Sequence, residues 1–312
     1  MNKRKLIIDT DGGSDDVVAI VMALRDPDVE VTAITTVVGN TNVFQATVNV
    51  LWAIEQANTY APPVYMGATT PLMGSKPRFA WETHGSDGLG DLGYTPTKSY
   101  DLGDVSAPDG IYRHLEPGTS IVTLGPLTNI AMLHILYPSI WEHVEQVYIM
   151  GSGGLGIGNV TPLAEFNIWY DAEAAKIVLD SAAPKTFIGW DACQGEAMLS
   201  EDEVQTVFDS GELGHHMIAC NSTLINLNKT RFGSGCIDFA DPAAMAVVLN
   251  NEIIADSDLY HCDIVTTPGP GYGAFVIDRN NEFDIGPKNA RVVTRLNANM
   301  YKDLLFKLLS EE

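Results

Sequence analysis

Short apolar, β-branched runs alternate with helix-length segments along most of this chain, and that alternation restricts its fold more than any other feature. Lys5–Thr10 reads as a buried strand. Ser14–Leu24 reads as a helix with Val17, Val18, Ile20, Val21 and Leu24 on its apolar face and Ser14 as its cap. Glu30–Val37, Asn42–Asn58 and Val64–Gly67 continue as strand, helix and strand. The unit recurs as Ser120–Leu124, Pro126–Leu136, Gln146–Met150, Asp171–Asp180 and Lys185–Trp190. Such a series predicts an α/β fold with a mostly parallel sheet covered on both faces. Leu259–Thr267, Ala274–Asp278 and Arg291–Leu296 read as later strands, with Pro-Gly-Pro-Gly turning between the first two, and Asn299–Leu309 as a last helix.

Thr69–Lys98 and Lys229–Phe239 break the pattern, and Gly151–Asn159 is glycine-rich. Long loops of this kind inside a domain are usually binding loops or lids. Without a repeat or linker, a single domain over residues 1–312 is expected. At 46 % hydrophobic residues the chain can bury a large core, which excludes global disorder. With 18 basic and 40 acidic residues, a net charge of −22, nucleic acid is not expected as a partner. The apolar run Leu6–Ile8 is too short for a secretion signal, and no run is long enough to span a membrane. Cys193, Cys220, Cys236 and Cys262 are widely spaced, which predicts free thiols in a cytoplasmic protein.

In a parallel sheet of this type ligands sit beyond the carboxyl ends of the strands. Asp9, Asp11, Asp15 and Asp16 follow the first strand, Asn40 the second, and Asn159, Glu165 and Asn167 the strand ending at Met150. Four carboxylates within eight residues repel one another unless a hard cation sits among them, and calcium suits such oxygen donors. The plainer reading is that Asp15 and Asp16 only favour a helix N-terminus.

Here the sequence resembles the inosine–uridine-preferring nucleoside hydrolases. Their D-x-D-P-G-x-D-D signature reads DTDGGSDD at 9–16, with Gly12 in place of proline. AITTVVGN (33–40), HGSDGLG (84–90), LGPLTNIA (124–131), GN-x-TP-x-AEFN (158–167) with DAEAA (171–175), and DP-x-A (241–244) follow in order. The resemblance implies a mixed, largely parallel sheet and a bound Ca2+ held by Asp11, Asp16, the backbone carbonyl of Leu124, and Asp241. It also implies ribose contacts from Asp15, Asn40, Asn159, Glu165 and Asn167, with Asp11 as the general base that activates water. The reaction implied is hydrolysis of the N-glycosidic bond of a ribonucleoside, in a homodimer or homotetramer. A clamp on both ribose hydroxyls implies a preference for ribosides over 2-deoxyribosides.

The base-releasing end departs from the family. Many members carry His directly before the last metal-binding Asp, and a purine-preferring branch has Trp there; this chain has Ala240. His84 matches a family histidine near the base, Trp81 is a candidate for stacking, and Asn228 and Phe232 match base-contacting positions of pyrimidine-preferring members. Each also has a plainer reading, as a loop histidine, a packed loop aromatic or helix-end packing. Cys236 reads as an inert thiol, and His215 and His216 as solvated helix residues. Two other functions compete. Ala240 suits a nucleoside- or ribose-binding protein without turnover, and D-x-D-G after a strand also opens the phosphatases of the haloacid dehalogenase type. Asp11 argues against the first, and the lack of a matching later Lys and acidic pair against the second.

Overall fold

The computed structural model describes residues 3–74, 78–100, 102–280 and 286–310. The first part of the chain runs β1 (Arg4–Thr10), α1 (Ser14–Arg25), β2 (Val29–Thr36), α2 (Val43–Ala57), β3 (Val64–Met66), α3 (Trp81–His84) and α4 (Ala107–His114). The middle part is β4 (Thr119–Thr123), α5 (Thr128–Leu136), β5 (Val144–Met150), α6 (Phe166–Tyr170), α7 (Ala172–Asp180) and β6 (Lys185–Ile188). A helical run follows: α8 (Glu201–Phe208), α9 (Glu212–Ala219), α10 (Ser222–Phe232) and α11 (Ala240–Leu249). The chain then adds β7 (Ile254–Tyr260), β8 (Cys262–Ile264), β9 (Phe275–Ile277), β10 (Ala290–Leu296) and α12 (Ala298–Leu309).

Eight strands form one sheet in the order β3-β2-β1-β4-β5-β6-β10-β7. All neighbours are parallel except β7, which pairs antiparallel with β10 at the edge. The α/β architecture expected from the alternation is therefore present. Strand order reverses between β1 and β4, which opens a crevice where those strands end.

The period of two along β1 separates two cores. Leu6 and Ile8 pack with α1, α11 and α12 on one face, and Ile7 packs with Ile130 and Val178 on the other. α1 is buried all round, from Ser14 to Leu24, because it lies between the sheet, α2, α11 and α12. A one-sided apolar face was expected there; the absence of any charge between Asp16 and Arg25 is the trace of full enclosure. Ser14 is not the cap: Gly13 holds that position, and Asp16 takes the Gly13 N–H at 2.9 Å.

Three other readings need correction. The expected strand Leu259–Thr267 is split between the end of β7 and the start of the β8–β9 hairpin. β7 begins at Ile254 and carries polar, half-exposed residues, as befits an edge, and this hid it. Lys229–Phe232, taken as irregular, complete α10. Of the irregular segment Thr69–Lys98, residues 81–84 form one helical turn, and Ser75, Lys76 and Pro77 lie outside the described residues.

Buried polar bonds tie the strand ends beside the crevice. Asn129, in the first turn of α5, donates through Nδ2 to Asp9 Oδ1 at 2.7 Å and to the Thr36 carbonyl at 3.0 Å. Its Oδ1 accepts the Ala68 N–H at 3.0 Å. One amide thereby links the ends of β1 and β2 to the segment after β3. Asn129→Ala strands these buried groups and is expected to lower stability by about 2–4 kcal/mol in urea unfolding. A loss under about 1 kcal/mol would show that the link carries little of the strand-end geometry.

Candidate active site

The acidic segment after β1 turns back on itself before α1 begins. Gly12 makes the turn at φ 66°, in the left-handed region, and a Cβ there would lie 2.7 Å from Ala46 Cα. Thr10 Oγ1 accepts the Gly12 N–H at 3.1 Å and donates to Asp16. Asp241 arrives from the other end of the chain, in the first turn of α11, which packs along α1. Carboxylate oxygens of Asp15, Asp16 and Asp241 lie within 4.8 Å of one another, and all three residues are buried. Asp11 stands next to Asp16 but is turned toward Asn40, whose N–H donates to Oδ2 at 2.6 Å and whose Nδ2 donates to Oδ1 at 3.2 Å. The three carboxylates that meet are thus Asp15, Asp16 and Asp241, with Asp11 adjoining Asp16 and held by the Asn40 amides.

Burial pushes the Asp15 carboxyl up to about 6. Burial and the neighbouring carboxylates push Asp11 and Asp16 up, and Asp241 well up. No Lys or Arg pairs with any of the four among the described residues. Asp15 Oδ1 is buried without a hydrogen-bond donor. An all-oxygen donor set with excess negative charge and an unpartnered buried oxygen fits a hard divalent cation. The Leu124 carbonyl, just past β4, borders the cavity but accepts Asn167 Nδ2 at 2.7 Å.

A cavity of about 340 Å³ opens beside the cluster. Asp15, Asn40, Leu124, Asn159, Glu165 and Asn167 line it, so the structure brings together residues read from four separate segments. Glu165 caps α6: its carboxylate accepts N–H groups of Asn167 (2.8 Å), Ile168 (3.2 Å) and Ser152 (3.1 Å). Burial nevertheless lifts its carboxyl to about 7. Asn159 Oδ1 accepts the Phe166 N–H at 2.8 Å and pins the glycine-rich loop to that helix.

His84 is buried in the same wall. Asn49 anchors its loop by donating to the carbonyls of Gly12 (2.7 Å) and Asp87 (2.9 Å). His84 Nδ1 accepts the Ser14 N–H at 3.2 Å, so a neutral ring carries its proton on Nε2. Burial drives the pKa down to about 4 despite Asp16 and Asp238, which keeps the ring neutral near pH 7.

The other part of the wall holds Phe79, Trp190, Leu224, Arg231, Asp238 and Ala240. Trp190, Arg231 and Asp238 were missed in the sequence. Leu224 and Arg231 are seven apart and so share one face of α10, which was a usable signal. Three expected contacts are not in the lining. Trp81 stacks on Phe79 and is exposed. Phe232 is exposed at the end of α10, and Asn228 is fully buried behind the wall, bonded to the Cys236 carbonyl and to Asp238. His216, read as solvated, packs against Trp52 and Tyr94.

A family model described as inosine-uridine preferring nucleoside hydrolase matches residues 6–303. A probable uridine nucleosidase 1 of Oryza sativa subsp. japonica is 38 % identical over 224 residues, 71 % of this chain and 68 % of that protein. A pyrimidine-specific ribonucleoside hydrolase of Shewanella oneidensis is 31 % identical over 98 % of this chain and 96 % of its own. The solved structure of a plant nucleoside hydrolase superposes with a TM-score of 0.92 at 29 % identity, covering 100 % of both chains.

The raised carboxyls make metal-free stability fall with pH. Asp15 at about 6, and Asp9 and Glu165 at about 7, hold protons that the unfolded chain has lost. Their contribution is full below about pH 4 and is lost as pH rises through 6 to 7. His84 pulls the other way between about 4 and 6.5, one group against several. The Tm of chelator-treated protein is therefore expected to fall between about pH 5 and 7.5, and calcium to restore it. A Tm that climbs over that window without metal would contradict this charge arrangement.

Proposed function

The chain belongs to the inosine-uridine preferring nucleoside hydrolase family, and from that premise we propose that it cleaves ribonucleosides to free base and ribose around a Ca2+ ion, with Asp11 as general base. The observation that carries the reading is the buried meeting of Asp15 and Asp16 with Asp241, residues 225 or more positions apart in sequence, beside a polar cavity. Asp11, Asp16, Asp241 and the Leu124 carbonyl would hold the ion, with the Asp15 carboxylate beside it. When bound, such an ion lowers the pKa of an adjacent water and grips a sugar diol.

Asp11 takes a proton from the attacking water; burial and Asp16 raise its basicity for that task. Asp15, Asn40, Asn159, Glu165 and Asn167 hold the ribose. Their oxygens face the positive charge that grows on the sugar as the glycosidic bond lengthens. The fixed caps of Glu165 and Asn159 mean that these groups need not reorganise during the reaction. Neutral His84 offers its Nε2–H to the substrate as a hydrogen-bond donor.

No helix among the described residues is long and apolar enough to cross a membrane. A cytoplasmic homodimer or homotetramer is the assembly we infer. Four free cysteines support the compartment, and the exposed Tyr112, Ile135 and Leu136 on the neighbouring helices α4 and α5 support the association.

Ribose release from inosine or uridine is expected to vanish on exhaustive chelation and return with calcium. Asp11→Asn at saturating calcium is expected to lower kcat about 10²–10⁴-fold. Turnover that survives verified metal loss would remove the ion from the reaction, and wild-type kcat in the variant would remove Asp11 as the base.

A further inference from the structure

Asp238 precedes α11 and stands three residues ahead of Asp241. It is only 6 % exposed, yet it lines the cavity. Its Oδ1 accepts Asn228 Nδ2 at 2.7 Å. Its Oδ2 accepts Trp190 Nε1 at 3.2 Å and Gln194 Nε2 at 2.9 Å. These donors come from α10 and from the segment after β6, and all are neutral. No Lys, Arg or His forms an ion pair with Asp238 among the described residues.

A carboxylate offers about four acceptor sites, and three are filled here. The remaining one belongs to Oδ1, on a side chain whose position is locked from two elements. Asn228, buried and removed from the cavity itself, thereby acts on it through Asp238. Trp190 and Leu224 line the same cavity and bring flat and apolar surface that suits a ring. Ala240 and Asp241 line the same cavity and Asp238 stands close enough to Asp15 to raise its carboxyl, so this wall adjoins the acidic cluster; with the sugar diol held at the cluster as proposed above, the base is the part of the ligand left to meet it.

We propose that Asp238 is a specificity-determining residue that accepts a ring N–H from the base, selecting lactam and imide bases of the hypoxanthine and uracil type. The inference rests on the nucleoside hydrolysis proposed above and names the chemistry of its leaving group. A base with a bare ring nitrogen at the same place sets a lone pair against the carboxylate. That arrangement also leaves the base edge unpaired, which discriminates strongly in a buried site.

The test compares kcat/KM for uridine with 3-methyluridine and for inosine with 1-methylinosine. In the wild-type protein, loss of the N–H is expected to cost about 10–100-fold, the range of hydrogen bonds to charged groups. Asp238→Asn keeps the shape and removes the charge, and is expected to shrink that ratio about ten-fold. Equal rates for parent and methylated substrates would overturn the proposal. So would a methylation penalty unchanged in Asp238→Asn, since the penalty would then be bulk alone. If that variant does not fold, purine riboside provides the comparison in wild-type protein: it drops the N–H and adds no bulk. A rate at least about ten-fold below inosine is expected, and parity overturns the proposal. If neither parent nucleoside is hydrolysed, the hydrolase reading itself fails, and this inference with it.

Discussion

Crowding of buried negative charge at the end of β1 is the constraint from which the rest of the structure follows. Asp11, Asp15, Asp16 and Asp241 are buried close together with no Lys or Arg paired to them among the described residues, and burial first, then neighbouring carboxylates, push each carboxyl upward. Amide and hydroxyl donors from Thr10, Gly13 and Asn40 offset part of that repulsion. They are neutral, so they stabilise the carboxylates without cancelling the charge. The fold makes the arrangement geometrically necessary. α1 starts at the switch point between β1 and β4 and is enclosed all round, and α11 packs along it, so the first turns of both helices meet. A divalent ion bound there would link the two ends of the chain and contribute to folding as well as to chemistry.

The legibility of the sequence follows from the range of the forces involved. β1, β2, β4, β5 and β6 were readable because most of each strand is buried on both faces, which leaves short apolar or β-branched stretches such as Leu6–Ile8 and Val147–Met150. β7 was not, because an edge strand keeps its polar residues and Ile254–Tyr260 has no such run. The lining residues Asp15, Asn40, Asn159, Glu165 and Asn167 were found from strand ends and family motifs, since the backbone at a strand end has little freedom. Asn228 and Phe232 were assigned by position alone, and the rotation of α10 about its axis turns Leu224 and Arg231 to the cavity instead. That rotation depends on long-range packing, with Asn228 buried against Asp238, and no local pattern encodes it.

The two parts of the cavity are consequently held by different means. Near the cluster, Glu165, Asn159 and Asn167 are fixed by main-chain groups, the N–H groups of the first turn of α6 and the Leu124 carbonyl just past β4. Farther out, Asp238 is fixed by side chains alone, from Asn228, Trp190 and Gln194. Substitution among those side chains alters the outer wall while the sheet continues to hold the inner one. Under the proposed reaction, selectivity for a leaving group would be free to change without disturbing the ion or the sugar.

Ala240 sharpens this division. Its methyl group offers no proton, so under the proposed reaction departure of the base would rely on groups reaching in from elsewhere. His84 keeps its proton on Nε2 and, with a pKa near 4, remains neutral through the physiological range. A cation bound among the acids would lower that pKa further. Full proton transfer from a neutral imidazole is costly, whereas a hydrogen bond from Nε2–H to a departing base is not. Under the proposed reaction, neutral donors such as His84, and Arg231 in the cavity lining, would stabilise the leaving group.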